Sequence, residues 1–371
     1  MASLGRKIAG TILVVLIVAV ATLAFALSHE SACGPAPALA ADATLMKAVV
    51  RRCYGPPDVL ALEDIEKPTP ADNQVLVKVR AAAVNPVDWH YMRAKPYLIR
   101  IETGLGAPKN IRLGIDFAGT VEAVGKDVTR FKPGDDVFGG KFGALAEYVT
   151  IAEDGLVVLK PANLTFEQAG AVDVAALTAL QALRDKGQVQ PGQKVLINGA
   201  SGGVGTFAVQ IAKSLGAEVS GVCSTRNVEM VRSLGADHVF DYTKEDFTTS
   251  GQLYDVILDN VGNRALLDVR RVLKPQGKYV LIGGGGPDEG PWIGVFIGAI
   301  KAWVVSHFVD QEMGMFIADA STADLEILSD LMEAGTVTPI IDRTYPMTEA
   351  ADAMRYLEKG HARGKVVVTF D

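Results

Sequence analysis

The chain has 371 residues, 49% hydrophobic and 21% charged, with a formal net charge of −7. This length suggests about two domains plus extras, and the composition excludes wholesale disorder. There is no Lys/Arg run and no basic, aromatic-rich stripe, so nucleic acid is not an expected partner. Cys33, Cys53 and Cys223 form no CxxC pair and no even-numbered framework, so the sequence indicates neither a disulfide scaffold nor a Cys-rich zinc site.

Residues 8–27, IAGTILVVLIVAVATLAFAL, carry no charge. As a helix they span about 30 Å, the thickness of a bilayer core. Arg6 and Lys7 precede them, and SHESACGPAPALAADAT reads as a linker. An uncleaved single-pass membrane anchor competes with a secretory signal cut after Ala38-Leu39-Ala40. The run exceeds the ~7–15 residues of a signal core, which favours the anchor. With no polar face it is a poor buried soluble helix. Glu30-Ser31-Ala32 lacks the apolar residue a lipoprotein signal would place before Cys33.

Residues 46–165 read as short strands at 47–50, 75–79, 117–124, 137–138, 148–151 and 157–159, split by Pro- and Gly-rich turns. This spacing suggests a small antiparallel barrel or sandwich. The segment 166–183 is Ala-rich and helical. Strands expected at 194–198, 217–223, 238–240, 255–258 and 278–282 then alternate with helices at 203–215, 226–234 and 262–273. Such alternation implies a parallel, doubly wound sheet. An apolar stretch at 292–309 reads equally as pocket lining or cover, dimer interface, or core. Helices at 322–334 and 348–359 follow, and a closing strand at 365–370 is expected to return to the first domain.

Within this frame, Ala200-x-Gly202-x-x-Gly205 is a variant of G-x-G-x-x-G, entered by Val195-Leu196-Ile197 and followed by a helical stripe of Val204, Ala208, Ile211, Ala212 and Leu215. Ser201, Gly202 and Gly203 let backbone N–H groups approach a pyrophosphate, and Gly205 lets the helix pack on the strand. The next strand ends in Ser224-Thr225-Arg226 where an NAD-selective site would place an acid. A hydroxyl plus a guanidinium matches a 2′-phosphate, so NADPH is the expected cofactor. Tyr242 is a candidate to flank the same phosphate.

The stretches AAAVNPVDWHYMR, LGIDFAGTVEAVG, RFKPGDDVFG, NGASGGVGTFAVQIAKSLGAEV, LGADHVFDYTKEDF and GHARGKVVV together resemble the medium-chain dehydrogenase/reductase superfamily, in its zinc-free quinone oxidoreductase branch. The resemblance covers roughly residues 46–371 and leaves out the N-terminal apolar segment. It implies an α/β fold: a GroES-like β-barrel at 46–165, completed by about 340–371, and a Rossmann domain at 166–339, behind an anchor or signal segment and linker at 1–45. It also implies that Thr178 faces the nicotinamide, that Val261, Gly262 and Gly283–Gly285 (Gly284 among them) line the nicotinamide half, and that Lys365 lies near the cofactor phosphates. Relatives of this type are commonly homodimers.

Zinc-dependent relatives place a Cys in the loop matching Asn85, a His-Glu pair matching Ile115-Asp116, a further ligand near Val174 and a four-Cys lobe near Phe142. Asn and Ile cannot supply those ligands, so no metal site is expected. His90 with Asp88 is a poor substitute. Without a metal, reduction of a quinone or an α,β-unsaturated carbonyl needs only one or two donors for the oxygen. Asn85 and Tyr91 are the candidates. The loop reads one residue longer than the family's NPVDxxxR form, which leaves His90 as an alternative to Tyr91. A zinc-free alcohol/aldehyde reductase and a non-catalytic NADPH-binding protein remain competing readings. For location, the positive-inside rule puts the folded part outside the cytoplasm, whereas an intracellular reductant and the lone thiols Cys53 and Cys223 favour the inside. The side is left open.

Overall fold

The computed structural model describes residues 2–283, 290–292 and 294–370. The chain opens with helix α1 (Ala2–Ser28) and then an antiparallel pair, β1 (Leu45–Arg51) and β2 (Leu60–Glu66). Strand β3 (Gln74–Val84) leads into helices α2 (Pro86–Arg93) and α3 (Arg100–Thr103). Strands β4 (Asp116–Val124), β5 (Asp136–Gly140), β6 (Tyr148–Ala152) and β7 (Val157–Leu159) follow. The expected single helix over 166–183 is two, α4 (Phe166–Ala169) and α5 (Asp173–Gln181). The break falls at Gly170, where a Cβ would lie 2.6 Å from the Ala81 carbonyl oxygen of β3, so this corner needs a bare backbone.

The second half alternates as expected: β8 (Lys194–Asn198), α6 (Gly203–Ser214), β9 (Glu218–Cys223), α7 (Val228–Ser233), β10 (His238–Asp241), β11 (Tyr254–Asp259), α8 (Leu266–Arg271) and β12 (Leu273–Leu281). Helix α9 (Gly294–Ser306), β13 (Glu312–Met315), α10 (Thr322–Glu333), β14 (Ile341–Pro346), α11 (Ala350–Glu358) and β15 (Lys365–Thr369) complete it. Six of these strands form one parallel sheet in the order β10-β9-β8-β11-β12-β13. The order reverses between β8 and β11, which opens a crevice at their carboxyl ends. The central strand β11 is buried almost throughout, as a strand covered on both faces must be.

The other large sheet runs β14-β15-β3-β4-β5-β7, with β6 also on β3. The last strand, β15, lies antiparallel to β3 with Val366 opposite Val84, so the chain's end closes on its own first half. Two large apolar cores result. One, around Phe207, Ile197 and Leu180, sits under the parallel sheet, and the other, around Phe117, Val77 and Leu145, fills the barrel.

Only 6% of the Thr11–Ser28 stretch is buried, in keeping with a segment that reads as a poor core helix. Two other readings need correction. The core reading of 292–309 fails: Trp303 is 62% and Phe308 83% exposed, and among the described residues of α9 Ala302 is buried with Val305 packed partly buried beside it. Finally, Cys33 and Cys53 are joined in a disulfide, with Cα atoms 4.6 Å apart. Spacing rules could not find this pair, because the linker folds back onto β1 through contacts far away in sequence. Cys223 is free, and burial pushes its thiol up to about 11. Protein isolated without reductant and then denatured is therefore expected to show one maleimide-reactive thiol, rising to three after reduction. Three before reduction would contradict the Cys33–Cys53 bond.

Candidate active site

The crevice at the strand-order reversal is built around two polar side chains. Asn198, ending β8, donates from Nδ2 to Asp259 Oδ1, ending β11, at 2.8 Å, with both side chains buried. Asp259 Oδ1 also accepts the N–H groups of Val261 (3.0 Å) and Gly262 (2.8 Å), and Oδ2 accepts the Tyr279 hydroxyl (2.9 Å). One carboxylate thus shapes the loop after β11, where Gly262 takes a φ of +66°. Gly283 comes so close that a Cβ would sit 2.6 Å from the Asn260 carbonyl. Gly284 and Gly285 lie outside the described residues.

The glycine turn opposes this loop. Gly199 has a φ of +78°, and a Cβ on Gly205 would strike the Gly199 carbonyl at 2.1 Å, so α6 packs directly onto the turn. Gly202 heads the helix without a side-chain cap. The first-turn N–H groups therefore point into the crevice with the positive end of the helix dipole behind them. Ala200 is buried against the sheet, and Ser201 Oγ accepts from Asn227 Nδ2 at 3.0 Å, which holds the turn to the end of β9. Val204 packs partly buried against the main core. Such a cradle, bare of side chains, fits a dinucleotide pyrophosphate.

The chain's C-terminal strand reaches into the same place. Gly202 bridges to Gly364, and the Gly364 N–H donates to the Ser201 carbonyl at 2.9 Å. Lys365 follows, 3% exposed, with Cδ 3.2 Å from where a Gly203 Cβ would be. Its ammonium donates to Asn85 Oδ1 (2.5 Å) and Asp116 Oδ2 (2.9 Å). Asp116 Oδ1 accepts the Val174 N–H (3.1 Å) at the start of α5. Two further acids surround this group. Burial, with the Asp116 charge nearby, pushes the Asp173 carboxyl well above its usual range, and its Oδ1 has no hydrogen-bond partner among the described residues. Burial pushes Asp88 up to about 7, even though its oxygens accept the N–H groups of Asn85 and Gly114. Thr178 is buried one turn along α5, its hydroxyl donating to the Val174 carbonyl at 2.6 Å.

At the other end of the crevice, β9 and β10 finish side by side and bring Ser224, Arg226 and Tyr242 to one edge. Ser224 Oγ lies 3.3 Å from Asn227 Nδ2. Arg226 is exposed, and Nη2 donates to the His361 carbonyl at 2.5 Å. The Tyr242 ring is half-exposed, with its backbone N–H held by the Cys223 carbonyl.

The two loop candidates separate clearly. Tyr91 meets Phe142 edge-on with centroids 5.1 Å apart and lines a cavity of about 170 Å³ with Arg51, Glu102, Thr103, Lys109, Asn110 and Phe142. Burial, with Glu102 nearby, holds its hydroxyl above the ordinary range, so it stays protonated at neutral pH. His90 instead stacks on Trp89 and pairs through Nδ1 with the Lys95 carbonyl. Arg51 was not legible from sequence. It is buried in the cavity wall, donates to the Tyr91 carbonyl and has an Nε without a partner among the described residues. Asp173, Asn198 and Asp259 were also missed, although Asp259 lies two residues before Val261, which was singled out.

A metal does not fit here. The Asn85 amide is engaged by Lys365, Ile115 is aliphatic, and Lys365 already compensates the charge of Asp116. Among the described residues no three His, Cys, Asp or Glu side chains converge on a common point.

The comparisons agree with this geometry. Residues 71–162 match the alcohol dehydrogenase GroES-like domain, and residues 234–368 match the family described as zinc-binding dehydrogenase. A mitochondrial NAD(P)H oxidoreductase of Mus musculus is 36% identical over 88% of this chain and 90% of its own. The chain belongs to the medium-chain dehydrogenase/reductase superfamily. Within it the chain is of the zinc-independent type. A chloroplastic NADPH-dependent alkenal/one oxidoreductase of Arabidopsis thaliana is 35% identical over 88% of this chain and 81% of its own. The quinone oxidoreductase structure from Coxiella burnetii superposes with a TM-score of 0.77 at 32% identity, covering 88% of this chain and all of that one. The fold is accordingly a GroES-like barrel joined to a Rossmann sheet.

The Arg226 edge makes a direct prediction. A guanidinium–phosphate contact contributes about 1.5–3 kcal/mol, roughly a 10- to 100-fold effect. Arg226→Ala should raise the KM for NADPH by that factor and leave the KM for NADH nearly unchanged in steady-state assays. Equal effects on both cofactors would remove the 2′-phosphate role.

Proposed function

We propose that this chain reduces quinones or α,β-unsaturated carbonyls with NADPH by hydride transfer and without a metal ion. The observation that carries this reading is the buried Lys365–Asn85–Asp116 contact beside the glycine turn, which fills the metal-ligand position with an amide and an ammonium. The relatives' names, an NAD(P)H oxidoreductase and an alkenal/one oxidoreductase, support the same class.

NADPH supplies the hydride. The chain's residues have four tasks. The glycine turn and the α6 N-terminus hold the pyrophosphate, with Lys365 beside them. Ser224, Arg226 and Tyr242 receive the 2′-phosphate. Thr178, Val261, Gly262 and Gly283 border the nicotinamide half. Asn85 Nδ2, which among the described residues donates to the Ala83 carbonyl alone at 3.5 Å, and the protonated Tyr91 hydroxyl stabilise the substrate oxygen as charge develops on it. A conjugated substrate already has an electrophilic carbon, so these donors replace a Lewis acid.

We also propose the division 1–45 (anchor and linker), 46–165 completed by 340–371, and 166–339. The anchor is read as uncleaved. Cutting after Ala40 would remove Leu27, which is buried, and Cys33, which is bonded to Cys53. The disulfide also withdraws the lone-thiol argument for a cytoplasmic domain.

The purified full chain should oxidise NADPH with a quinone and with a simple enone, at rates unchanged by a chelator. Tight NADPH binding without turnover would favour the binding-protein reading, and chelator sensitivity would remove the metal-free mechanism.

A further inference from the structure

Helix α1 does not run into a loose tether. Its body stands clear of the protein, but its last turn is built in, with Leu27 2% exposed. The Arg100 guanidinium, fully buried, donates through Nη1 to the Leu27 (2.9 Å) and His29 (3.0 Å) carbonyls and through Nη2 to Glu30 Oε1 (2.6 Å). Its Nε donates to the Ala94 carbonyl (3.2 Å), and the Tyr54 and Tyr97 rings lie against it at 4.9 and 4.4 Å. A cation at a helix C-terminus satisfies free carbonyls and opposes the dipole. The Ser31 N–H then donates to the Gly106 carbonyl (2.9 Å), and Cys33 bonds to Cys53. The helix axis is thus fixed relative to the barrel.

The segment that receives the helix, 97–106, is also a wall of the Tyr91 cavity. Glu102 and Thr103 face that cavity with Arg51, Tyr91 and Phe142, and Tyr54 locks the wall through Thr103 Oγ1 (3.0 Å) and the Gly104 carbonyl (2.9 Å). The same segment turns Leu98 (44%), Ile101 (64%) and Leu105 (59%) to the outside, beside Phe25 (69%) of the last turn of α1. All three are exposed, while Arg100 between them is buried. Large apolar side chains grouped at the foot of a membrane-length helix mark a surface that leaves water together with that helix.

The geometry points to residues 97–106 as a collar resting in the bilayer interface, with the Tyr91 cavity opening at membrane level and taking its substrate from the lipid phase. This rests on the proposed reductase activity and on the uncleaved anchor. The substrate class is a conjugated dicarbonyl on a long apolar tail, namely a quinone carrying an isoprenoid chain. The quinone gains a hydride from NADPH and a proton from solvent to give the hydroquinone, leaving NADP⁺.

The test uses the full chain in phosphatidylcholine vesicles with two acceptors, a tail-less benzoquinone in water and a long-tailed ubiquinone in the bilayer. Ile101→Glu with Leu105→Glu changes exposed positions only. It should leave benzoquinone turnover unchanged and lower ubiquinone turnover at least tenfold. An equal loss on both acceptors, or no loss on either, overturns the collar. A second readout is independent of turnover. The extra emission of Ile101→Trp over the wild-type chain should be quenched by brominated lipid, and absence of quenching overturns the proposal even if both quinones are reduced. Failure of the wild-type chain to reduce either quinone, with quenching intact, instead counts against the reductase reading and removes the substrate assigned here.

Discussion

The Lys365 ammonium, buried between Asn85 and Asp116, holds the site together. It sits at the first residue of β15 and touches the end of β3, the start of β4 and the glycine turn. Leaving either charge buried without its partner would cost about 3–5 kcal/mol, so the C-terminal strand cannot leave the barrel without a large penalty. The same contact fixes how the barrel meets the parallel sheet, because Gly364, one residue earlier, is bonded to the glycine turn. The glycine turn and the loop at Asn85 are therefore positioned by one ion pair and its neighbours. The surrounding acids suit this arrangement. Burial pushes the Asp88 and Asp173 carboxyls toward their neutral forms, and Asp116 makes the direct contact with Lys365.

Around that contact each half contributes a rigid edge. Asn198 and Asp259 tie the two central strands at the reversal of strand order, and Asp259 shapes the loop that follows. On the barrel side, α2 begins at Asn85 and is braced by Asp88 reaching back to the Asn85 N–H. Tyr91 emerges one turn later on the cavity side. In the proposed mechanism this arrangement has a modest task, to present donors for an oxygen from a braced loop. A substrate activated by conjugation requires little more.

Much of this was legible in the sequence because it rests on local pattern. Strand–helix alternation after residue 190 and the glycine turn are short-range signals, and they placed α6 and β9 where the structure has them. What stayed hidden depends on residues far apart in the chain. Lys365 and Asn85 were each singled out, but not as partners 280 positions apart. Arg51 carries no local mark, being one cation in a β-strand. The Cys33–Cys53 bond was misread for the same reason, and the exposed face of α9 was invisible because an apolar run reads alike on a surface and in a core.

The central claim is that Lys365 couples the barrel to the cofactor cradle. Isothermal titration of NADPH into the Lys365→Met protein tests it most directly. A dissociation constant at least tenfold weaker than wild type is expected, because the cation beside Gly203 is lost and Asn85 and Asp116 are released. An unchanged dissociation constant in a folded Lys365→Met protein would show that the cradle stands without this contact, and would contradict the account.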